Sequence, residues 1–153
     1  MEAVGAQDRI ECAITIDAPL ERVWHLVSEP GWWVPTTVES PDVRTPGHRT
    51  VRETEKWGTF EVEVVEMRPQ TYAAFRWASQ FPGQAVKDGN STMVEFFVEP
   101  VPGSGSVSVT VVESGFAGLD ADEAVRKAGV KDNSEGWPLE MAELKQRAEE
   151  QAA

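Results

Sequence analysis

Apolar and polar residues alternate along much of the chain, and the period changes where strands give way to helices. Residues 9–16 place Ile10, Cys12, Ile14 and Ile16 on one side and Glu11, Ala13 and Thr15 on the other, the pattern of a half-buried strand. From Asp17 the period lengthens. Leu20, Val23, Trp24 and Val27 recur at helical spacing, which predicts an amphipathic helix capped by Asp17 or Ala18, with Pro19 in its first turn and Pro30-Gly31 as its stop. Trp32-Trp33-Val34 predicts a short second helix or a tight loop. Two adjacent indoles on a helix cannot both point into one core, so at least one is expected to line an opening or cap an edge.

The next segment is weakly patterned and admits one short strand near Val38. Residues 49–55 alternate without an apolar side and predict an edge-like strand, followed by a turn at Trp57-Gly58. Residues 59–67 set Phe60, Val62 and Val64 opposite Glu61 and Glu63, and the doubled Val64-Val65 breaks the phase, which predicts a bulge. Two more strands follow, with Phe75 and Trp77 on the inner face of 72–78 and Val94, Phe96 and Val98 on that of 92–98, joined by a loop over 81–90. Val107, Val109 and Val111 mark a last strand ending at Glu113, which by alternation points inward.

Beyond a loop at 114–118, Asp120 with Glu123 predicts the capping box of a short helix that Gly129 ends. The main helix then starts near Asn133 or Ser134, where Pro138 is tolerable in the first turn. Trp137, Met141, Leu144 and Ala148 form its apolar stripe, and Leu139 lies opposite, expected against the short helix or exposed. A lone amphipathic helix after a run of antiparallel strands needs an apolar surface, and the sheet is the only large one. The predicted architecture is α+β: a curved antiparallel sheet wrapped around a long C-terminal helix, with two short helices after the first strand. One domain is expected over 1–153, frayed at 1–8.

Charge and composition narrow the partners. Fourteen basic residues against 26 acidic leave a net charge of −12, which argues against a nucleic-acid partner and against anionic membrane surfaces. No apolar stretch approaches a membrane span, no signal peptide is evident, and a single cysteine, Cys12, precludes an internal disulfide. A cytoplasmic location follows as the expectation. His25 and His48 are the only histidines and have no cysteine or carboxylate cluster at ligand spacing, so no metal site is expected. Pro102-Gly-Ser-Gly-Ser106 lacks the lysine of a phosphate loop, there is no nucleophile elbow, and no cofactor is expected.

Six tryptophans and six phenylalanines supply the candidate chemistry. Trp33, Phe75, Trp77, Phe96, Trp137 and Met141 can all face the space between sheet and helix, where they either fill a core or line a pocket. Arg52, Thr110 and Glu113 are the candidate polar groups, Glu113 foremost because it continues the inward face near the mouth.

Three stretches carry a family likeness: Ile14-Thr-Ile-Asp-Ala-Pro-Leu-Glu-Arg-Val-Trp24 with Trp33, Val111-Val-Glu-Ser-Gly-Phe116, and Asn133-Ser-Glu-Gly-Trp137. With the element order they resemble the helix-grip fold of the START-like (SRPBCC) superfamily, in the branch related to the activator of the Hsp90 ATPase. The resemblance covers nearly the whole chain and implies a cavity between sheet and helix. It does not select an activity, since the superfamily includes lipid carriers, hormone receptors and polyketide cyclases. Three readings follow. The first is a binder of a small hydrophobic or amphipathic molecule, such as a lipid, held by the residues named above. The second is a cyclase or aromatase in which Glu113 assists proton transfer. The third is a protein-interaction module resembling the Hsp90 activator. The lack of an evident acid/base pair favours the binder over the enzyme.

Overall fold

The computed structural model describes residues 8–36 and 42–152. The strand expected near Val38 and the fraying expected over residues 1–7 lie outside them. Asp8, included in the expected fray, is held in place: its Oδ1 accepts the Ala117 N–H at 2.7 Å.

Among the described residues, six strands form one antiparallel sheet: β1 (Arg9–Ile16), β2 (Arg49–Glu53), β3 (Thr59–Arg68), β4 (Tyr72–Trp77), β5 (Thr92–Pro100) and β6 (Val107–Ser114). Their spatial order is β1-β6-β5-β4-β3-β2. Successive hairpins join β2 to β6, and β1 lies beside β6 with Ile10 opposite Glu113 and Ile16 opposite Val107. The register of β3 on β4 slips between Val64 and Glu66, where the doubled valine breaks the alternation. Strand β2 is an edge, and its inward positions are Thr50 and Arg52, both buried. Polar side chains on the inner face are why its sequence shows no apolar side.

Helix α1 (Leu20–Val27) follows β1. In place of a second short helix the chain makes linked turns, with the Trp32 N–H on the Glu29 carbonyl at 3.2 Å and the Val34 N–H on the Gly31 carbonyl at 2.9 Å. Freed from helical geometry, Trp32 and Trp33 both enter the core, meeting edge to face at 6.0 Å. Both are therefore core residues, and the expectation that at least one of the pair lines an opening is met by Trp33, which walls the cleft described below. Gly31 makes the turn possible. Its φ is +75°, and a Cβ there would stand 3.0 Å from Arg52 Cγ and 3.2 Å from Val62 Cγ2. Gly31→Ala therefore combines a left-handed backbone with a clash, and should cost about 1–3 kcal/mol. A lowered urea midpoint at unchanged m-value is the expected result; an unchanged midpoint would mean that the turn relaxes freely.

The two helices expected near the C-terminus are one. After a 3-10 turn (Phe116–Gly118), α2 runs unbroken from Glu123 to Ala152. Its cap is Asp122, whose Oδ1 accepts the Val125 N–H at 3.0 Å, rather than Asp120. Gly129 does not end the helix. It is buried, and a Cβ there would lie 3.0 Å from Gln80 Cδ, so the glycine admits a close side-chain neighbour. Pro138 sits inside the helix. Packing of the apolar stripe outweighs the hydrogen bond that the ring deletes. Trp137, Met141, Leu144 and Ala148 are all buried in one cluster with Val94, Phe96, Val109 and Val111, whereas Leu139 is 72% exposed. The C-terminal half of α2 is fastened to the β1 end: Lys145 Nζ donates to the Thr15 carbonyl at 3.0 Å, and the Asp17 N–H donates to Glu149 Oε2 at 2.8 Å.

Candidate functional site

Alternation along β6 turns Val107, Val109, Val111 and Glu113 toward the helix. Glu113 thus carries a carboxyl group into the core, where it has no exposed surface. Its Oε2 accepts hydrogen bonds from Trp77 Nε1 at 2.9 Å and Thr92 Oγ1 at 2.6 Å. Its Oε1 accepts from Trp137 Nε1 at 2.8 Å. Asn133 Nδ2 lies 3.0 Å from Oε1 and 3.2 Å from Oε2. One acidic side chain therefore joins β4, β5 and α2. Burial pushes its carboxyl above the usual range, and the four donors pull in the opposite direction. Both oxygens are engaged by neighbours, which leaves little acceptor capacity for an incoming substrate.

Above this hub lies a cleft of about 120 Å³ lined by Trp33, Trp77, Asn133, Gly136, Trp137 and Glu140. Trp33 is the keystone of the aromatic packing around it. Its ring lies 5.4 Å from Phe75, 5.6 Å from Phe96, 5.7 Å from Trp77 and 5.8 Å from Trp137. The space between sheet and helix is thus largely filled by aromatic rings. The indole Nε1 of Trp33 is buried without a hydrogen-bond partner. At the rim, partial burial and then the nearby charge of Glu143 raise the Glu140 carboxyl above its ordinary range.

The structure divides the residues singled out from the sequence into three groups. Trp33, Trp77 and Trp137 line the cleft. Phe75, Phe96 and Met141 are fully buried behind it. Arg52 and Thr110 lie elsewhere. Arg52 braces the turns after α1, with Nε on the Val34 carbonyl at 3.3 Å and Nη1 at 3.5 Å from Glu29 Oε2. Thr110 alternates out of phase with Val109 and Val111 and stands beside Phe97, which is exposed, so it belongs to the outer face. Its selection ignored the period of two that placed Glu113 correctly. Four residues were not anticipated: Thr92, Asn133, Gly136 and Glu140. Three of them carried a signal. Asn133, Gly136 and Glu140 are spaced by three and four and flank Trp137, so they share its side of the helix. Thr92, at the first position of a strand, carried none.

Among the described residues no group of three or more His, Cys, Asp or Glu side chains could hold a metal ion, and no helix is long and apolar enough to cross a membrane.

Comparison with known proteins adds a family and a fold. A family model described as activator of Hsp90 ATPase homolog 1-like protein matches residues 17–149. No curated protein matches the sequence. Among solved structures, a protein from Mesorhizobium loti is 19% identical, with a TM-score of 0.67 over 90% of this chain and 94% of its own. The Aha1 dimer from Colwellia psychrerythraea is 15% identical, with a TM-score of 0.67 over 92% of this chain and 95% of its own. DynU16, a protein in the dynemicin biosynthetic locus, is 20% identical, with a TM-score of 0.66 over 93% of this chain but 47% of its own. At these identities the structural likeness establishes the fold alone: a helix-grip arrangement of curved sheet and long C-terminal helix.

Proposed function

The chain belongs to the activator of Hsp90 ATPase homolog 1-like protein family, in the START-like (SRPBCC) superfamily, and we propose that it binds a small apolar or amphipathic molecule of about one ring without chemistry of its own. The observation that carries this reading is the cleft of about 120 Å³, walled by three indoles and edged by Asn133 and Glu140. An apolar cavity of about 150 Å³ holds one benzene, so the cleft suits a single ring or the end of an acyl chain. A ring burying about 150 Å² contributes about 4 kcal/mol, which sets affinity near the millimolar range. Residence in the cytoplasm is part of this reading, supported by the single cysteine.

The cyclase reading draws on the DynU16 likeness, but two observations weigh against it: the oxygens of Glu113 are already bonded, and the cleft is too small for fused rings. The protein-interaction reading is favoured by a different observation, the filling of the sheet–helix space by Trp33, Phe96 and Trp137. The likeness to an Aha1 dimer accords with it.

One titration separates binder from interaction module. Phenol and benzoate are added while the indole N–H resonances are followed by NMR. Saturable shifts at Trp33, Trp77 and Trp137, with Trp24, Trp32 and Trp57 unmoved, are the expected result. If these resonances stay fixed to solubility while the chain stimulates an Hsp90 ATPase, the binder reading gives way to the interaction module.

A further inference from the structure

A groove of about 420 Å³ lies where the 3-10 turn meets the first half of α2, and it shares no lining residue with the indole cleft. Ala117 and Val130, over the buried Phe116, supply its apolar ground, and Arg126, Lys127 and Lys131 its cations. Asp8 and Glu123 also line it, but the Asp8 carboxylate is already engaged by the Ala117 N–H. Three cations against two carboxylates in the lining, with Glu135 beyond it as the partner of Lys131, is a high basic share for a chain of net charge −12. Elsewhere the balance runs the other way or cancels. The indole cleft has Glu140 alone, the groove beside Trp32 sets Glu140 and Glu143 against Arg147, and the one beside Trp57 pairs Glu55 with Lys56.

The cations are also available. Lys127 pairs with Glu123 at 3.7 Å and Lys131 with Glu135 at 3.0 Å, all four side chains being well exposed. Exposed pairs of this kind contribute little and exchange readily for another anion. Arg126 is pre-positioned, its Nη1 donating to the Ala121 carbonyl. The methylene stems of the lysines extend the apolar ground while their ammonium groups stay at the rim.

We infer that this groove binds an anionic amphiphile of the medium-chain carboxylate class. The chain lies along Ala117, Val130 and the lysine stems, and the carboxylate sits among Arg126, Lys127 and Lys131. Sodium decanoate, titrated into the whole protein below its micellar concentration and followed by backbone amide NMR, tests this. Saturable shifts are expected at Phe116, Ala117 and residues 126–131. Lys127→Gln/Lys131→Gln, two exposed and conservative changes, should weaken binding by about tenfold, the loss of one charged hydrogen bond. 1-Decanol and decylamine should bind this segment more weakly than decanoate. The inference is overturned if decanoate shifts only the indole N–H signals of the cleft, if it shifts nothing, if decanol binds as tightly, or if the double variant binds unchanged with an unaltered melting temperature. Because the two sites share no residue, shifts at Trp77 and Trp137 report on the cleft independently.

Discussion

Glu113→Ala should lower the unfolding free energy by about 3–5 kcal/mol, because it leaves several buried donors without their acceptor. Truncation strands Trp77 Nε1, Thr92 Oγ1 and Trp137 Nε1 together, while Asn133 Nδ2 keeps Ser79 Oγ at 3.1 Å. Each unsatisfied buried donor costs about 1–3 kcal/mol, and entry of water into the vacated space offsets part of the sum. Glu113→Gln should lose less, about 1–3 kcal/mol, because its carbonyl oxygen still accepts while its amide confronts donors. Urea unfolding measures both. An Ala variant as stable as the wild type would show that the hub does not tie helix to sheet.

The same pair of proteins gives a pH test with a definite sign. Burial raises the folded pKa of Glu113. Its contribution is therefore fully present below the unfolded carboxyl value of about 4.3 and is lost as pH rises through the raised folded value. Gln does not titrate, and the other carboxyls cancel in the difference. The stability advantage of wild type over Glu113→Gln should accordingly be largest near pH 4 and shrink toward neutrality.

What could be read from the sequence was whatever a short period encodes. Five strands showed one apolar face, and the doubled Val64-Val65 announced the bulge that the β3–β4 register confirms. Strand β2 could be read only as an edge, because its inward residues are Thr50 and Arg52. The stripe of α2 was legible, but its true start was not. Gly129 and Pro138 are local stop signals, and each is overridden by tertiary packing that no local rule contains. The same limit applies to the site. Alternation found Glu113, and aromatic character found Trp33, Trp77 and Trp137. Asn133 and Glu140 look like ordinary polar positions on a helix until the indole between them is known to face inward. Whether the sheet–helix space is filled or open depends on where Trp33 points. That follows from the turn around Gly31, not from any periodicity.

Trp33→Ala turns that dependence into an experiment. The indole touches Trp32, Phe75, Trp77, Phe96 and Trp137, so its removal should cost about 3–5 kcal/mol. The vacated volume adjoins the cleft that Trp33 now lines, and the variant should possess the larger cavity that the native chain fills with its own side chain. Free indole is the matching probe. A ligand at a hundredfold its Kd restores about 2.7 kcal/mol, equivalent to a rise in melting temperature of about 5–10 °C for a domain of this size. Indole should therefore raise the melting temperature of Trp33→Ala well above any effect on wild type. Should the variant be destabilised as expected yet indifferent to indole, the sheet and helix have collapsed onto each other, and Trp33 is a packing residue with no pocket behind it. A rise of equal size in wild type would instead place the indole outside the space that Trp33 occupies.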